Sequence, residues 1–303
     1  MKLKLSLALT ALALASQAQA NLTLPATGAG SVAFVAMDGA NGGVGVAPTE
    51  SLILDLGFTM LDFLPLVSGY TLAAGQLTTP GTTVVWDFVN NTRTVNGVAS
   101  SGTFAYSAPY GSFQSAALNG VNWGVISADN VSGAASGTSA ANFGTMGTGN
   151  ATAAQMATLT GSGGPGTAAA NVANFFAANN NNGTNIAGQT GGNVATSGTA
   201  FLNSTLKNDF GAGGGYVNLP YLTTGSTNFI QFTRQQSNSI VYQLGLTFGV
   251  DTPATDPASF TFDSTAGTLT YVMPVPEPEQ YAMLVAGLAA IGFVVRRRQG
   301  DSR

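Results

Sequence analysis

Cysteine and histidine are both absent from the sequence. Without them there is no disulfide framework, and a zinc, haem or iron–sulfur centre loses its usual ligands. The Ser-His-Asp and Cys-His arrangements that activate a nucleophile are excluded for the same reason. Charge is nearly as scarce: Asp, Glu, Lys and Arg make up 7% of the chain, against about 25% in ordinary soluble domains. Between residues 21 and 273, three cations (Arg93, Lys207 and Arg234) face ten carboxylates, a formal charge of −7. Displacing counterions from a phosphate backbone needs a cluster of Lys and Arg. Nucleic acid is therefore excluded as a partner.

In place of charge there are 40 glycines, with much Ala, Thr, Ser and Asn, and a hydrophobic share of 45%. That is enough for a core, and the mixture favours short strands, frequent turns and a neutral polar surface. Leu52, Leu54, Leu56, Phe58 and Met60 alternate with Asp55, Gly57 and Thr59. Val84, Trp86 and Phe88 alternate with Val85, Asp87 and Val89, and Phe104–Ala108 and Trp123–Asp129 are further short strand candidates. Tyr242 to Val250 is another period-two stripe, and Phe260–Asp263 with Thr268–Met273 reads as a hairpin. Residues 130–200 are rich in Ala, Gly and Asn; there 151–159 and 168–178 carry helical spacing. The expected fold is mainly β: an antiparallel β-sandwich or jelly-roll-like domain with one wet face per sheet, carrying a partly helical low-complexity insertion.

The two ends carry the sharpest signals. Lys2 and Lys4 precede an apolar stretch from Leu5 to Ala15, and Ala18-Gln19-Ala20 is a small-x-small cleavage site. This is the layout of a secretory signal peptide, with cleavage expected after Ala20 and the secretion translocase and signal peptidase as partners. At the other end, Tyr281 to Val295 is uncharged and runs into Arg296, Arg297 and Arg298. As a helix it would span about 22 Å at 1.5 Å per residue, short for a hydrocarbon core of about 30 Å. Snorkelling arginines would extend it. The expectation is a C-terminal transmembrane helix that anchors the protein transiently in the inner membrane, its body outside and the arginines in the cytoplasm.

Val275-Pro276-Glu277-Pro278-Glu279, followed by the apolar stretch and the arginine cluster, resembles the PEP-CTERM sorting signal. The resemblance covers residues 274–298, under a tenth of the chain. It implies that the protein is a substrate of exosortase, a multi-pass membrane cysteine transpeptidase of Gram-negative bacteria that make extracellular polysaccharide. It further implies recognition and cleavage near Pro276–Pro278, then transfer to the surface or release. The residues themselves fit a protease groove: two prolines hold the backbone extended, and Glu277 and Glu279 keep it hydrated.

The organisation expected is then a signal peptide (1–20), an exported β-rich domain (21–273), the sorting signal and anchor (274–298) and a cytoplasmic tail (299–303). No catalytic residue, cofactor or metal is expected. Lys207 is the only lysine of the exported span, which leaves a Ser–Lys dyad no second choice. Asp38-Gly39-Ala40-Asn41-Gly42 and Asp251–Asp256 are oxygen-rich turns, which Asx-turns explain without calcium. The leading reading is a non-enzymatic extracellular-matrix or cell-surface component living among extracellular polysaccharide. The alternative is a carbohydrate-binding or adhesion module, with Trp123, Tyr106 and Tyr110 as candidate sugar contacts; a secreted hydrolase comes third.

Overall fold

Alternation of apolar and polar residues writes most of the strands. In the computed structural model the described residues are 22–24, 30–38, 49–63, 76–116, 121–128, 143–149, 164–182, 191–201, 227–236, 239–244, 258–275, 286–289 and 291. The strands are β1 (Ser31–Asp38), β2 (Ser51–Thr59), β3 (Thr83–Asp87), β4 (Thr92–Val95), β5 (Val98–Ala99), β6 (Val121–Ala128), β7 (Phe143–Gly149), β8 (Gly192–Ala195), β9 (Thr227–Gln236), β10 (Ser239–Leu244), β11 (Ser259–Asp263) and β12 (Thr268–Val272). Two helices, α1 (Ser107–Ala116) and α2 (Gly164–Asn180), complete the main elements.

All strand pairs are antiparallel. They form one continuous sheet in the order β5-β4-β3-β12-β11-β9-β7-β6-β1-β2-β8, with β10 also paired to β9. Strand β9 joins two five-stranded arms: β7 takes one of its edges, while β11 and β10 share the other at Thr227–Phe229 and Gln231–Gln236. The end strands β5 and β8 do not pair with each other, so the sheet stays open. This corrects the expected sandwich of separate sheets or jelly roll. Backbone hydrogen bonds through β9 make the arms one sheet, and nothing among the described residues closes it into a barrel.

The arms nonetheless face each other across one aromatic core. Phe34 of β1 sits 4.8 Å from Phe262 of β11 and 5.1 Å from Phe88 between ring centroids. Trp123 of β6 meets Phe262 edge-on at 5.6 Å, and Phe58 of β2 meets Trp86 of β3 at 5.9 Å. The Trp86 indole N–H donates to the Leu56 carbonyl at 2.9 Å, so the bulkiest buried ring also satisfies its polar atom. On the opposite face of β1, β2 and β6, the residues Val35, Met37, Ile53 and Ile126 pack with Phe175 and Phe176 of α2. Strand β1 is therefore buried on both faces, which its unbroken run Val32–Met37 suits. The expectation of a wet side on every strand fails here.

Residues 130–200 supply β7, α2 and β8 to this assembly. Helix α2 contains the expected 168–178 helix, whereas 151–159 lies outside the described residues. Phe104–Ala108 is not a strand: Phe104 makes an isolated bridge and α1 begins at Ser107. The expected terminal hairpin is β11–β12, whose turn is fixed by Asp263 accepting the N–H groups of Thr265 and Ala266. Between β4 and β5, Asn96 (φ 51°) and Gly97 (φ 77°) make the two-residue turn that a tight hairpin demands.

Among the described residues no helix is long and apolar enough to cross a membrane. This overturns the expected transmembrane helix over Tyr281–Val295 and, with it, transient anchoring in the inner membrane. Of that stretch the described residues are 286–289 and 291, which are helical and exposed.

Phe34 touches three other rings and is fully buried. Replacing it with alanine should cost about 3–5 kcal/mol, read as a lowered urea midpoint. Val89→Thr, on an exposed turn, should stay within about 0.5 kcal/mol of wild type.

Candidate functional site

The sheet releases its C-terminus at a defined point. Met273 continues the inward alternation of Leu269 and Tyr271 and is buried. Its N–H donates to the Thr82 carbonyl at 2.8 Å, and its carbonyl accepts the Gly81 N–H at 2.9 Å. Gly81 adopts φ +80°, and a Cβ there would come within 3.2 Å of the Val275 side chain. Two residues past Met273, Val275 is 60% exposed. The clamp by Gly81 and Thr82 comes from far back in the sequence; only the alternation through Met273 hinted that order persists this far.

The expected sugar contacts are elsewhere and inaccessible. Trp123, Tyr106 and Tyr110 are all buried in the core between the arms. Trp123 lies opposite Ala36, on the face shared with Phe34, while Tyr106 stacks on Phe104 at 5.5 Å. The Tyr110 hydroxyl donates to the Ser264 carbonyl at 2.9 Å. None of the three rings is available to stack on a sugar. A cleft of about 360 Å³ opens between α1 and β8, lined by Ala105, Ala108, Pro109, Ser112, Gly192 and Val194, with no ionisable side chain among the described residues of its walls.

Among the described residues no group of three or more Asp or Glu is placed to hold a metal ion. Asp38 is occupied in closing the β1–β2 connection: it accepts the N–H groups of Thr49 and Glu50 at 2.7 Å each, and the Thr49 hydroxyl. Asp87 caps the next turn by accepting from Val89 and Asn90. Residues 39–48 and Asp251–Asp256 lie outside the described residues.

The segment beyond Met273 decides what the exit is for. Residues 274–298 match the model of the PEP-CTERM protein-sorting motif. The chain carries a PEP-CTERM sorting motif. No curated protein and no solved structure matches the chain. The motif indicates exosortase-type sorting toward the cell surface or the extracellular space, and proteins bearing it are substrates of sorting rather than its catalysts. Pro274 and Val275, its first residues, are described at the edge of the fold. Pro276, Glu277, Pro278 and Glu279 lie outside the described residues, as do Tyr281, Val295, Arg296, Arg297 and Arg298, and Ala18 and Ala20 at the other end.

One partly buried charged cluster lies between β2 and β4. The Arg93 guanidinium lies between the rings of Phe58 (4.3 Å) and Phe104 (4.9 Å) and donates to the carbonyls of Leu56 and Gly57 at 3.0 Å. Its cation is satisfied by π faces and carbonyls, an arrangement suited to arginine. Beside it, Asp55 accepts the Gly57 N–H at 2.8 Å and the Ser31 hydroxyl at 3.1 Å. The Ser31 oxygen in turn accepts the Thr23 N–H. The Tyr106 hydroxyl is buried without a hydrogen-bond partner among the described residues. These groups hold strands and the N-terminal segment together.

Burial pushes the Asp55 carboxyl up to about 6, against the pull of the Gly57 N–H, the Ser31 hydroxyl and Arg93. Its folded pKa thus exceeds the unfolded value of 3.8. Between these two values the folded state binds the extra proton, so stability should rise as pH falls from about 6 to about 4, by up to about 3 kcal/mol. Urea titrations across that range should show the rise in the wild type and a flatter profile in Asp55→Asn.

Proposed function

We propose that the protein is a non-enzymatic component of the extracellular matrix, exported through the secretion translocase and delivered outside by an exosortase-type enzyme. The observation that carries this reading is the PEP-CTERM motif beginning where the folded body ends. Near the front, a helix holds the chain at Leu22. The Asn180 side chain at the end of α2 brackets Leu22, accepting its N–H at 2.9 Å and donating to its carbonyl at 3.0 Å. Leu22 is buried against Val172, Phe175 and Phe176. Leu22, two residues past the expected cut at Ala20, thus belongs to the folded body, as a body at 21–273 requires.

Surface chemistry suits a matrix role. The solvent side of the arm made of β3, β4, β11 and β12 carries Thr83, Thr92, Thr94, Thr261, Thr268 and Thr270. Uncharged hydroxyls of this kind stay hydrated among neutral polysaccharide without attracting counterions. The three rings weighed for a carbohydrate-binding alternative, Trp123, Tyr106 and Tyr110, lie in the core.

Intact-mass measurement of protein recovered outside the cell tests the routing. The expected species lacks residues 1–20 and also lacks Tyr281–Arg303. Finding the full 303-residue chain in the culture fluid would overturn the proposal.

A further inference from the structure

The sorting motif starts at the residue after the clamped Met273. Met273 is hydrogen-bonded to Gly81 and Thr82, and Pro276 is only three residues farther on. A fully extended chain covers at most about 3.6 Å per residue, so Pro276 stays within about 11 Å of the clamped Met273 and Glu279 within about 22 Å. A groove that encloses Pro276–Glu279 must therefore bring its rim against the body.

The body is apolar at that place. Among the described residues the large exposed hydrophobic side chains are Val89, Val98, Val272, Val275, Leu288 and Ile291. Leu288 and Ile291 belong to the motif itself, and Val275 is its second residue. Val272 pairs with Thr83, whose carbonyl accepts the Asn96 N–H at 2.7 Å and whose own N–H donates to the Asn96 side chain at 2.8 Å. The Asn96-Gly97 turn thus lies at the same end of the arm as the exit, and Val98 comes directly after it, 70% exposed. Val98, Val272 and Val275 are thus at this end of the arm, while Val89 is beyond the other end of β3. Scattered apolar residues on a surface need no explanation; their concentration around the start of a recognition motif does.

We propose that the rim formed by Gly81–Thr83, Asn96–Val98 and Val272–Val275 is a second recognition surface for the sorting enzyme, engaged while the enzyme holds the motif. The proposal rests on the exosortase-sorting reading and extends it from the tail to the body. The partner it fits is an enzyme whose groove has an uncharged, apolar lip, since no Lys or Arg belongs to this rim and Arg93 is turned inward between Phe58 and Phe104. Val275 runs directly into Pro276, so the enzyme would meet rim and motif together.

The test tracks conversion of the full-length protein to its sorted form by pulse-chase in the producing cell. Val98→Thr with Val272→Thr keeps β-branched side chains on the strands while removing apolar contact. The pair should slow sorting about fivefold, the worth of roughly one buried methyl-sized contact at an interface, while Val89→Thr sorts at the wild-type rate. A spacer of about ten Gly and Ser residues between Val275 and Pro276 should slow it similarly by separating rim from motif. Unchanged sorting in the valine pair, or faster sorting with the spacer, would overturn the proposal by showing that the body is at most an obstacle. Melting temperatures identify any folding defect; if the pair melts low, Val98→Thr alone, at the more exposed site, decides. Deleting Pro276–Glu279 separates the two claims: it should abolish sorting, and if it does not, the sorting reading itself fails.

Discussion

A twelve-stranded sheet of this composition depends on bending so that its two arms share one dry interior. With no disulfide and few charged residues to pair, burial of apolar surface is the dominant source of stability. It is concentrated where Phe34, Phe88, Trp123 and Phe262 meet, and where Phe58 and Trp86 cross from β2 to β3. The bond from the Trp86 indole to the Leu56 carbonyl fixes the register of one arm over the other. Helix α2 then covers the back of β1, β2 and β6, completing a three-layer arrangement in which β1 is enclosed from both sides.

The buried polar groups are a consequence of that closure. Arg93 is drawn in because the sides of Phe58 and Phe104 leave a slot with carbonyls at its end. Asp55 is trapped nearby on the same strand as Leu54 and Leu56, and its carboxylate is held at a cost that burial makes larger than its hydrogen bonds repay. Asn179 and Asn193 serve a different joint, the Asn193 amide donating to the Asn179 side-chain oxygen to link α2 with β8. Gly192 permits β8 to lie so close on β2 that any side chain there would strike the Ile53 carbonyl and Leu54.

Local pattern made several elements legible and left their partners hidden. The stripe from Leu52 to Met60 and the hairpin from Phe260 to Met273 could be read because period-two alternation and turn residues are local properties. Pairing of β12 with β3, elements from opposite ends of the body, leaves no local trace. Trp123 opens a predicted strand and so reads as a candidate sugar contact; its face is set by Ala36 and Phe34 on a distant strand. Phe104 to Ala108 looked like a strand because aromatic residues are common in strands, yet packing of Tyr106, Tyr110 and Phe113 favoured the start of a helix. The sorting motif was visible because an enzyme reads it as a linear sequence. Its seat on Gly81 and Thr82 was not, being a product of the fold.

The strand that ends at that seat is an interior one, with β3 along one edge and β11 along the other. A tether fastened to the tail would therefore load β12 along its own axis. Five residue pairs on each side would resist in shear, sharing the strain, where an edge strand would peel open one bond at a time.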